Sequence, residues 1–385
     1  MRFKWFYGQK LKFHCKNTGS KSRKKIYSTN WGIVSTNGTF FSTRGFSWKK
    51  ISKKICGIEK CCTFVPVWLP RFPLEQRAKG NPFIFVSMSK VPYSKPFLSY
   101  SAQLAFLKSC GMVFADENKA LHLLENISFH RFSDYWYPLL ADKQNHVFKQ
   151  CATFERAFNL YKFDRELRKL VSSELEKIEV AVRTKMAYVL SVAFGVFWID
   201  NQTLFANTKI YQITLDKINE ELTRSDNDAI ISFKSKHSNP YPPSYMLLEV
   251  TSFGTLLRLF NNLKPGKVKK NITATFGLSD TVFASWLHSI VSIRNVCAHH
   301  ERLWNRKLRI QPLFPRKTKH TWLTDKNIPN NRIYYVLSMM IYFLNTVNPK
   351  HTFKQKLENL FKKYSNVDRK AMGFPKNWHT EPLWK

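Results

Sequence analysis

The chain has 385 residues, 44% of them hydrophobic, and carries 62 Lys and Arg against 26 Asp and Glu, a formal charge of +36. That length and apolar content exclude a wholly disordered or fibrous chain and allow a sizeable core in one to three domains. So positive a balance points to a polyanionic partner, nucleic acid ahead of an anionic membrane surface.

No run approaches the roughly 18 consecutive apolar residues of a spanning helix, and the N-terminus has no apolar stretch ending in a small-residue cleavage site. A cytoplasmic location without a membrane partner is therefore expected. The seven cysteines have no even spacing, and no closely grouped pair is matched by a second pair or by histidines at zinc-site intervals. Neither a Gly-rich phosphate loop nor an acidic cluster suited to magnesium is present in the sequence. No metal and no cofactor are expected.

Residues 1–87 hold 18 of the Lys and Arg against only Glu59 and Glu75, together with Cys15, Cys56, Cys61 and Cys62. Isolated aromatics such as Trp5, Trp31, Phe40, Phe41 and Trp48 are scattered among Ser, Thr, Gly and Lys, and neither a helical nor a strand period persists. Two readings stay open. One is a basic arm in which bases stack on rings and lysines hold phosphates; the other is an upstream mis-assigned start, since Met88 opens MSKVPYSKP and leaves 298 residues.

From residue 88 onward helical periodicity dominates and predicts an all-α fold. Residues 102–110 read as a helix with Leu104 and Leu107 apolar and Gly111 as its stop. Asp116 caps a second helix that runs through Leu124 on Ala120, Leu121, Leu123 and Leu124. Residues 127–140, ISFHRFSDYWYPLL, are aromatic and amphipathic until Pro138 interrupts them. At their centre, His130 and Arg131 are either RNA contacts or surface charge bordering an aromatic core, which Tyr135, Trp136 and Tyr137 fill.

The longest periodic segment spans 153–194, with Phe163, Leu167, Leu170, Ile178, Val182, Met186 and Val189 at helical intervals. Its other face carries Lys162, Arg165, Arg168, Lys169, Glu174, Glu176 and Lys177, the alternating signs of a solvated surface. Glu174, Glu176 and Glu179 are candidates to orient a site arginine. Residues 201–208 read as a connection and 210–222 as a helix, after which 225–243 is polar and proline-punctuated, with SNPYPPS a loop. Helical patterning resumes over 245–260, where Gly254 in Ser252-Phe253-Gly254 marks close packing or a kink. Lys264, Lys267, Lys269 and Lys270 then form a basic turn, a solvated loop on one reading and a set of RNA phosphate contacts on the other.

Residues 283–305, FASWLHSIVSIRNVCAHHERLWN, combine helical periodicity with polar residues that packing does not require. On a wheel of about 100° per residue, Phe283, Leu287, Ile290, Val291 and Ala298 share one arc, and Arg294 falls inside it. A guanidinium aimed at an apolar surface must meet a carboxylate, a phosphate or buried carbonyls. Asn295 and His299, four apart, share a neighbouring face, so Arg294 and His299 need not touch within one helix. Two copies facing each other complete the set. Arg302, Arg306, Lys307 and Arg309 continue the positive surface as candidate RNA contacts, and 332–344 and 353–364 are the last helices.

The string Arg294, Asn295, Val296, Cys297, Ala298, His299 resembles the Arg-x4-His motif of HEPN ribonucleases. Its setting resembles the Abi family of AbiD/AbiF type, bacterial phage-defence proteins. Residues 127–139 are similar to a signature near the start of Abi proteins, and Met372, Gly373, Phe374, Pro375, Asn377 and Trp378 followed by Pro382, Leu383 and Trp384 resemble the family's ending. This resemblance spans roughly 93–385 and implies a HEPN-like helical bundle with additional helices. It also implies an abortive-infection endoribonuclease, a site formed across a homodimer, and restraint by a cognate small non-coding RNA. A second helical unit within the chain, the hairpin region of 153–194, is the alternative supplier of the partner surface.

Metal-independent RNA cleavage needs the 2'-hydroxyl deprotonated, the phosphorane stabilised and the leaving 5'-oxygen protonated. Histidine exchanges protons near neutral pH, and arginine neutralises a non-bridging oxygen without losing its own proton. His299 is accordingly expected as the proton-transfer group, Arg294 as the phosphate clamp and Asn295 as an orienter. His300 is a second candidate for the proton duties, and Glu301, Arg302 and Asn305 are expected to support the site. The competing reading is an RNA-binding or toxin-regulating module that keeps the motif structurally and cuts nothing.

Overall fold

The computed structural model describes residues 96–385, Pro92, and the backbone of three short strands near the N-terminus. The chain divides into two compact units, Met1–Pro92 and Tyr93–Lys385. In the first, β1 (Ile26–Thr29), β2 (Gly32–Ser35) and β3 (Phe40–Phe41) form an antiparallel ladder in which Tyr27 faces Val34 and Val34 faces Phe40. These strands are too short for a period to stand out of the sequence. The expectations for 1–87, an RNA-binding arm or a start at Met88, otherwise lie outside the described residues.

The second unit is all-α apart from one two-stranded ladder, and among the described residues it holds twelve α-helices. The first three are α1 (Tyr100–Ser109), α2 (Glu117–Ile127) and α3 (Phe129–Trp136), capped by the side chains of Ser99, Asp116 and Ser128. Each cap accepts a hydrogen bond from a first-turn amide that has no partner within its helix. Strands β4 (Leu140–Asp142) and β5 (Val147–Phe148) pair in the loop that follows.

Then comes α4 (Phe154–Phe194), 41 residues capped by Thr153 and ended at Gly195, which sits at φ 82. At about 1.5 Å per residue it is roughly 60 Å long. It is unbroken, so the expected hairpin region over 153–194 does not exist and supplies no second helical unit. It is the element around which the others gather. Buried residues recur along it from Phe154 through Phe163, Val171, Ile178 and Met186 to Leu190, and α3, α9, α10, α11 and α12, defined below, all pack on it.

The expected solvated face of α4 is only partly solvated. Arg168 and Glu174 are buried, because neighbouring elements cover this face and ion pairs, Asp164 for Arg168, replace the water a lone helix would have. Glu174 takes both Lys177 at 2.7 Å and Lys356 at 3.5 Å.

Next are α5 (Thr208–Arg224) and α6 (Asp228–Lys236). The latter lies in the stretch read only as polar: Asn227 accepts from the amides of Ala229 and Ile230, and Ile230 and Phe233 are buried, enough to hold a short helix there, while the chain from 237 to 243 is the expected loop. The expected helix over 245–260 is two, α7 (Ser244–Val250) and α8 (Phe253–Asn262). The break lies at Thr251 and Ser252, where Ser252 caps α8, and not at Gly254, which has room for a Cβ with its nearest neighbour at 3.9 Å.

The core is completed by α9 (Lys267–Ala274), α10 (Asp280–Ala298), α11 (Ile333–Val347) and α12 (Phe353–Lys363). Residues Ile333 to Leu344 of α11 are all buried, as a helix that is apolar all round must be. Trp286 of α10 meets Trp322 at 4.4 Å and Tyr342 at 5.3 Å between ring centroids. The C-terminal segment docks on α11: Trp384 stacks on Tyr334 at 5.3 Å and donates its indole N–H to buried Ser338 at 3.0 Å.

Candidate active site

Helix α10 starts at Ser279, whose hydroxyl accepts from the amide of Val282. It buries Phe283, Trp286, Leu287, Ile290, Ile293 and Val296, and exposes Thr281, His288, Asn295 and Ala298. Ala298 therefore does not share the packed arc expected for it. Arg294 is also not fully packed: its side chain is 43% exposed, and its Nε lies 3.4 Å from Oε2 of Glu179 on α4.

Of the three acidic candidates on α4, the structure brings Glu179 to the arginine. Glu179 is itself held, since Arg183 donates to its other oxygen at 2.9 Å and to the carbonyl of Thr251 at 2.8 Å. A chain of contacts thus runs from the α7–α8 break through Arg183 and Glu179 to Arg294. Among the described residues the two terminal nitrogens of Arg294 have no hydrogen-bond partner.

The helix ends in a way that sequence periodicity does not show. His299 is its C-cap at φ −84 and ψ 5, and its N–H donates to the carbonyl of Asn295 at 2.9 Å. His300 follows at φ 55, in the left-handed region. Its N–H reaches the carbonyl of Cys297 at 3.1 Å, and the N–H of Glu301 reaches that of Val296 at 3.0 Å. This pair of bonds is a Schellman closure, with a histidine at the position that glycine favours. Of the periodic stretch 283–305, the helix thus takes only the part up to Ala298. His299 and His300 are both exposed, and the side chains of Asn295, His299 and His300 make no hydrogen bond among the described residues.

The turn beyond is fastened from below. Asp164 of α4, fully buried, accepts from the amides of Leu303 at 3.2 Å and Trp304 at 2.6 Å and from the hydroxyl of Tyr135 at 2.7 Å, and it pairs with Arg168. Burial pushes its carboxyl up, while Arg168, Tyr135 and the two amides pull it down. In the structure every one of these partners donates, an arrangement that fits the carboxylate, while burial as the largest cause holds the group above the usual carboxylate range. Burial and then the Asp164 charge raise the Tyr135 phenol, which stays a donor. Sequence reasoning missed Asp164, whose partners lie up to 140 residues away. Its one local signal was Arg168, four residues on. Burial also pushes the Cys297 thiol up to about 12, which removes it as a nucleophile near neutral pH.

From α3, Arg131 donates to the carbonyl of His300 at 2.6 Å, and Arg302 reaches Asp134 at 3.8 Å. Glu301 pairs with Arg306 at 2.7 Å, and Asn305, at φ 52, accepts from Arg332 at 3.3 Å. Arg131, Glu301, Arg302, Asn305 and Arg306 are thus brought together around the turn, whereas His130 is exposed without a side-chain partner among the described residues.

Of the lysines expected in a basic turn, Lys267, Lys269 and Lys270 stand instead in the first turn of α9, and among the described residues no hydrogen bond or ion pair ties them or Lys264 to the end of α10. Lys264, Lys267 and Lys270 are exposed, as are Lys307 and Arg309. Lys269 is different: its amine donates to the carbonyls of Leu263 at 2.9 Å and Asn261 at 3.3 Å, closing the end of α8, and burial lowers it.

Among the described residues no group of three or more His, Cys, Asp or Glu gathers as metal ligands would, and no helix is long and apolar enough to cross a membrane. The family model for Abi-like proteins matches residues 122–305, which takes in α3, the acidic residues of α4 and the whole of the turn. No curated protein and no solved structure matches the chain.

Proposed function

Because the chain belongs to the Abi-like family through residues 122–305, a membership that points to abortive infection and phage defence, we propose that it is an endoribonuclease acting at the end of α10. The observation that supports this reading is the state of Arg294, ion-paired at Nε with Glu179 and with its terminal nitrogens open among the described residues, five residues from an exposed histidine at the helix terminus. A guanidinium so held is preorganised for a phosphate oxygen.

In the proposed reaction the 2'-hydroxyl gives up its proton and its oxygen bonds to phosphorus. The bond from phosphorus to the 5'-oxygen breaks, and that oxygen takes a proton, leaving a 2',3'-cyclic phosphate and a 5'-hydroxyl. His299 exchanges the protons, Arg294 neutralises the non-bridging oxygen and Asn295 orients the scissile group. Arg294 and His299 lie about 140° apart at helical spacing, so one chain presents them on different sides of α10. A homodimer in which two such termini face each other supplies both to one phosphate. The exposed Lys264, Lys267, Lys270, Lys307 and Arg309 give the RNA its phosphate contacts, and a cognate small RNA restrains the enzyme.

One observation favours the second reading, an RNA-binding module that cuts nothing: among the described residues the His299 imidazole has no hydrogen-bond partner that fixes its tautomer. Purified protein incubated with end-labelled RNA in EDTA, beside His299→Ala and Arg294→Ala, separates the two. Cleavage to cyclic phosphate ends by the wild type alone is expected. RNA binding with no cleavage by any of the three proteins sinks the enzyme.

A further inference from the structure

We propose that Arg131 is a positioning residue for His299, acting through the turn after α10 and not through an RNA phosphate; this deepens the ribonuclease reading and rests on it. The starting point is the backbone of His300. A left-handed conformation is uncommon for a residue with a side chain, and at this position of a helix end glycine is the usual occupant. A histidine held there at φ 55 needs something outside the helix to keep it.

The external hold is the Arg131 guanidinium, whose Nη1 donates to the His300 carbonyl at 2.6 Å. The donor carries a full charge, which strengthens the bond over one between neutral groups. The two residues are 169 positions apart in sequence, so this bond ties α3 to the end of α10. A second tie lies alongside it, where Arg302 Nη1 donates to the carbonyl of Asp134 at 3.4 Å, and Asp164 closes the far side through the amides of Leu303 and Trp304.

His299 sits between a helical residue and this pinned one. Its ring direction is set by its own backbone, which is fixed on the N-terminal side by its bond to Asn295 and on the C-terminal side by the His300 pin. Arg131 thereby fixes a group it does not touch. Freed of the bond, the turn relaxes the φ of His300 and carries the imidazole away from the scissile phosphate. A misplacement of about 1 Å at a reacting group is enough to cost on the order of 100-fold in rate.

A phosphate contact and a positioning contact leave different traces. Arg131→Met in the full-length protein keeps the aliphatic stem and removes charge and donor together. Three measurements follow on wild type and variant: RNA affinity across a series of salt concentrations, the single-turnover cleavage rate at saturating protein, and amide hydrogen exchange over 299–304.

The expected result is a single-turnover rate lowered roughly 10- to 100-fold, with affinity and salt slope unchanged. Exchange rises at the amides of His300 and Glu301 while α4 stays protected. Weakened binding with a salt slope reduced by about one overturns the proposal in favour of a phosphate contact. Unchanged exchange, or faster exchange with an unchanged rate, overturns it as well. If the wild type cuts no RNA, the ribonuclease reading falls by itself, and the exchange data still decide whether Arg131 holds the turn.

Discussion

Two carboxylates on α4 hold the two sides of the α10 terminus, and they do so in opposite ways. Asp164 is sealed: it is fully buried, and its oxygens are taken by two amides, a phenol and a guanidinium. Glu179, fifteen residues on along the same helix, is 14% exposed and shares its oxygens between Arg183 and Arg294. The first carboxylate has its own oxygens filled by donors from three elements, as a structural anchor should. The second meets an arginine whose terminal nitrogens stay open. Saturation marks the scaffold and incompleteness marks the site, although both contacts are ion pairs on one helix.

The strongest test of this contrast is Asp164→Asn. An amide leaves Arg168 without its counter-charge and presents N–H groups to partners that also donate. Breaking a buried pair by removing one partner costs about 3–5 kcal/mol, so denaturant unfolding should show a loss in that range. A loss under about 1 kcal/mol, the range of a solvated pair, would place Asp164 in the same class as Glu179.

His299→Ala should do the reverse. The side chain is exposed and unbonded, so stability should stay within about 0.5 kcal/mol, while RNA cleavage falls by about 100- to 10,000-fold, the usual worth of a positioned proton-transfer group. His300→Gly is its control. Glycine relieves the left-handed strain and should stabilise the fold by a few tenths to about 1 kcal/mol with cleavage retained. Cleavage lost in His300→Gly and kept in His299→Ala would move the proton duties to His300.

The same contrast explains what the sequence could and could not show. Asp116 as a cap, the 3.6-residue recurrence of Phe163, Leu167 and Met186 and the length of α4 are local signals, and they placed α2 and α4, whereas α6, α9 and the break between α7 and α8 carried no such signal. Asp164 stood among Lys162, Arg165 and Arg168, where alternating charge looks like a wet surface. Only the arrival of Leu303 and Trp304 from far along the chain makes it a core residue. Glu179 could be named only as one of three, because choosing among Glu174, Glu176 and Glu179 requires knowing how two helices are rotated against each other. Arg131 is equally opaque: its partner is a backbone carbonyl, which carries no residue identity. The left-handed His300 hides inside a run whose apolar spacing continues past the true end of the helix.

Glu179→Gln probes the middle of the range. The side chain keeps its shape and one acceptor, so Arg183 retains a partner and the stability loss should be about 1 kcal/mol. Arg294, however, loses the charge that orients it, and cleavage should fall about tenfold or more with RNA affinity unchanged. A double-mutant cycle with Arg294→Ala checks the assignment: the two changes together should cost no more than Arg294→Ala alone, because Glu179 acts only through that arginine. Additive losses would give Glu179 a separate role.

The smallest effect is expected within the basic turn, where the same distinction between saturated and open groups applies to cations. Lys269 already closes the end of α8 through the carbonyls of Leu263 and Asn261, and burial holds its amine below the usual lysine range. Lys270, beside it, is exposed. If exposed lysines are what RNA meets, Lys270→Ala should lower the salt slope of binding by about one and leave stability alone. Lys269→Ala should leave the slope unchanged and cost about 1 kcal/mol of stability, the worth of the carbonyl bonds it loses. A wild-type slope in both variants would mean that the phosphates bind elsewhere, and an equal loss of slope in both would mean that Lys269 leaves its carbonyls when RNA arrives. Adjacent residues of one type thus provide the finest measure of whether an open valence, and not charge alone, marks the groups that act.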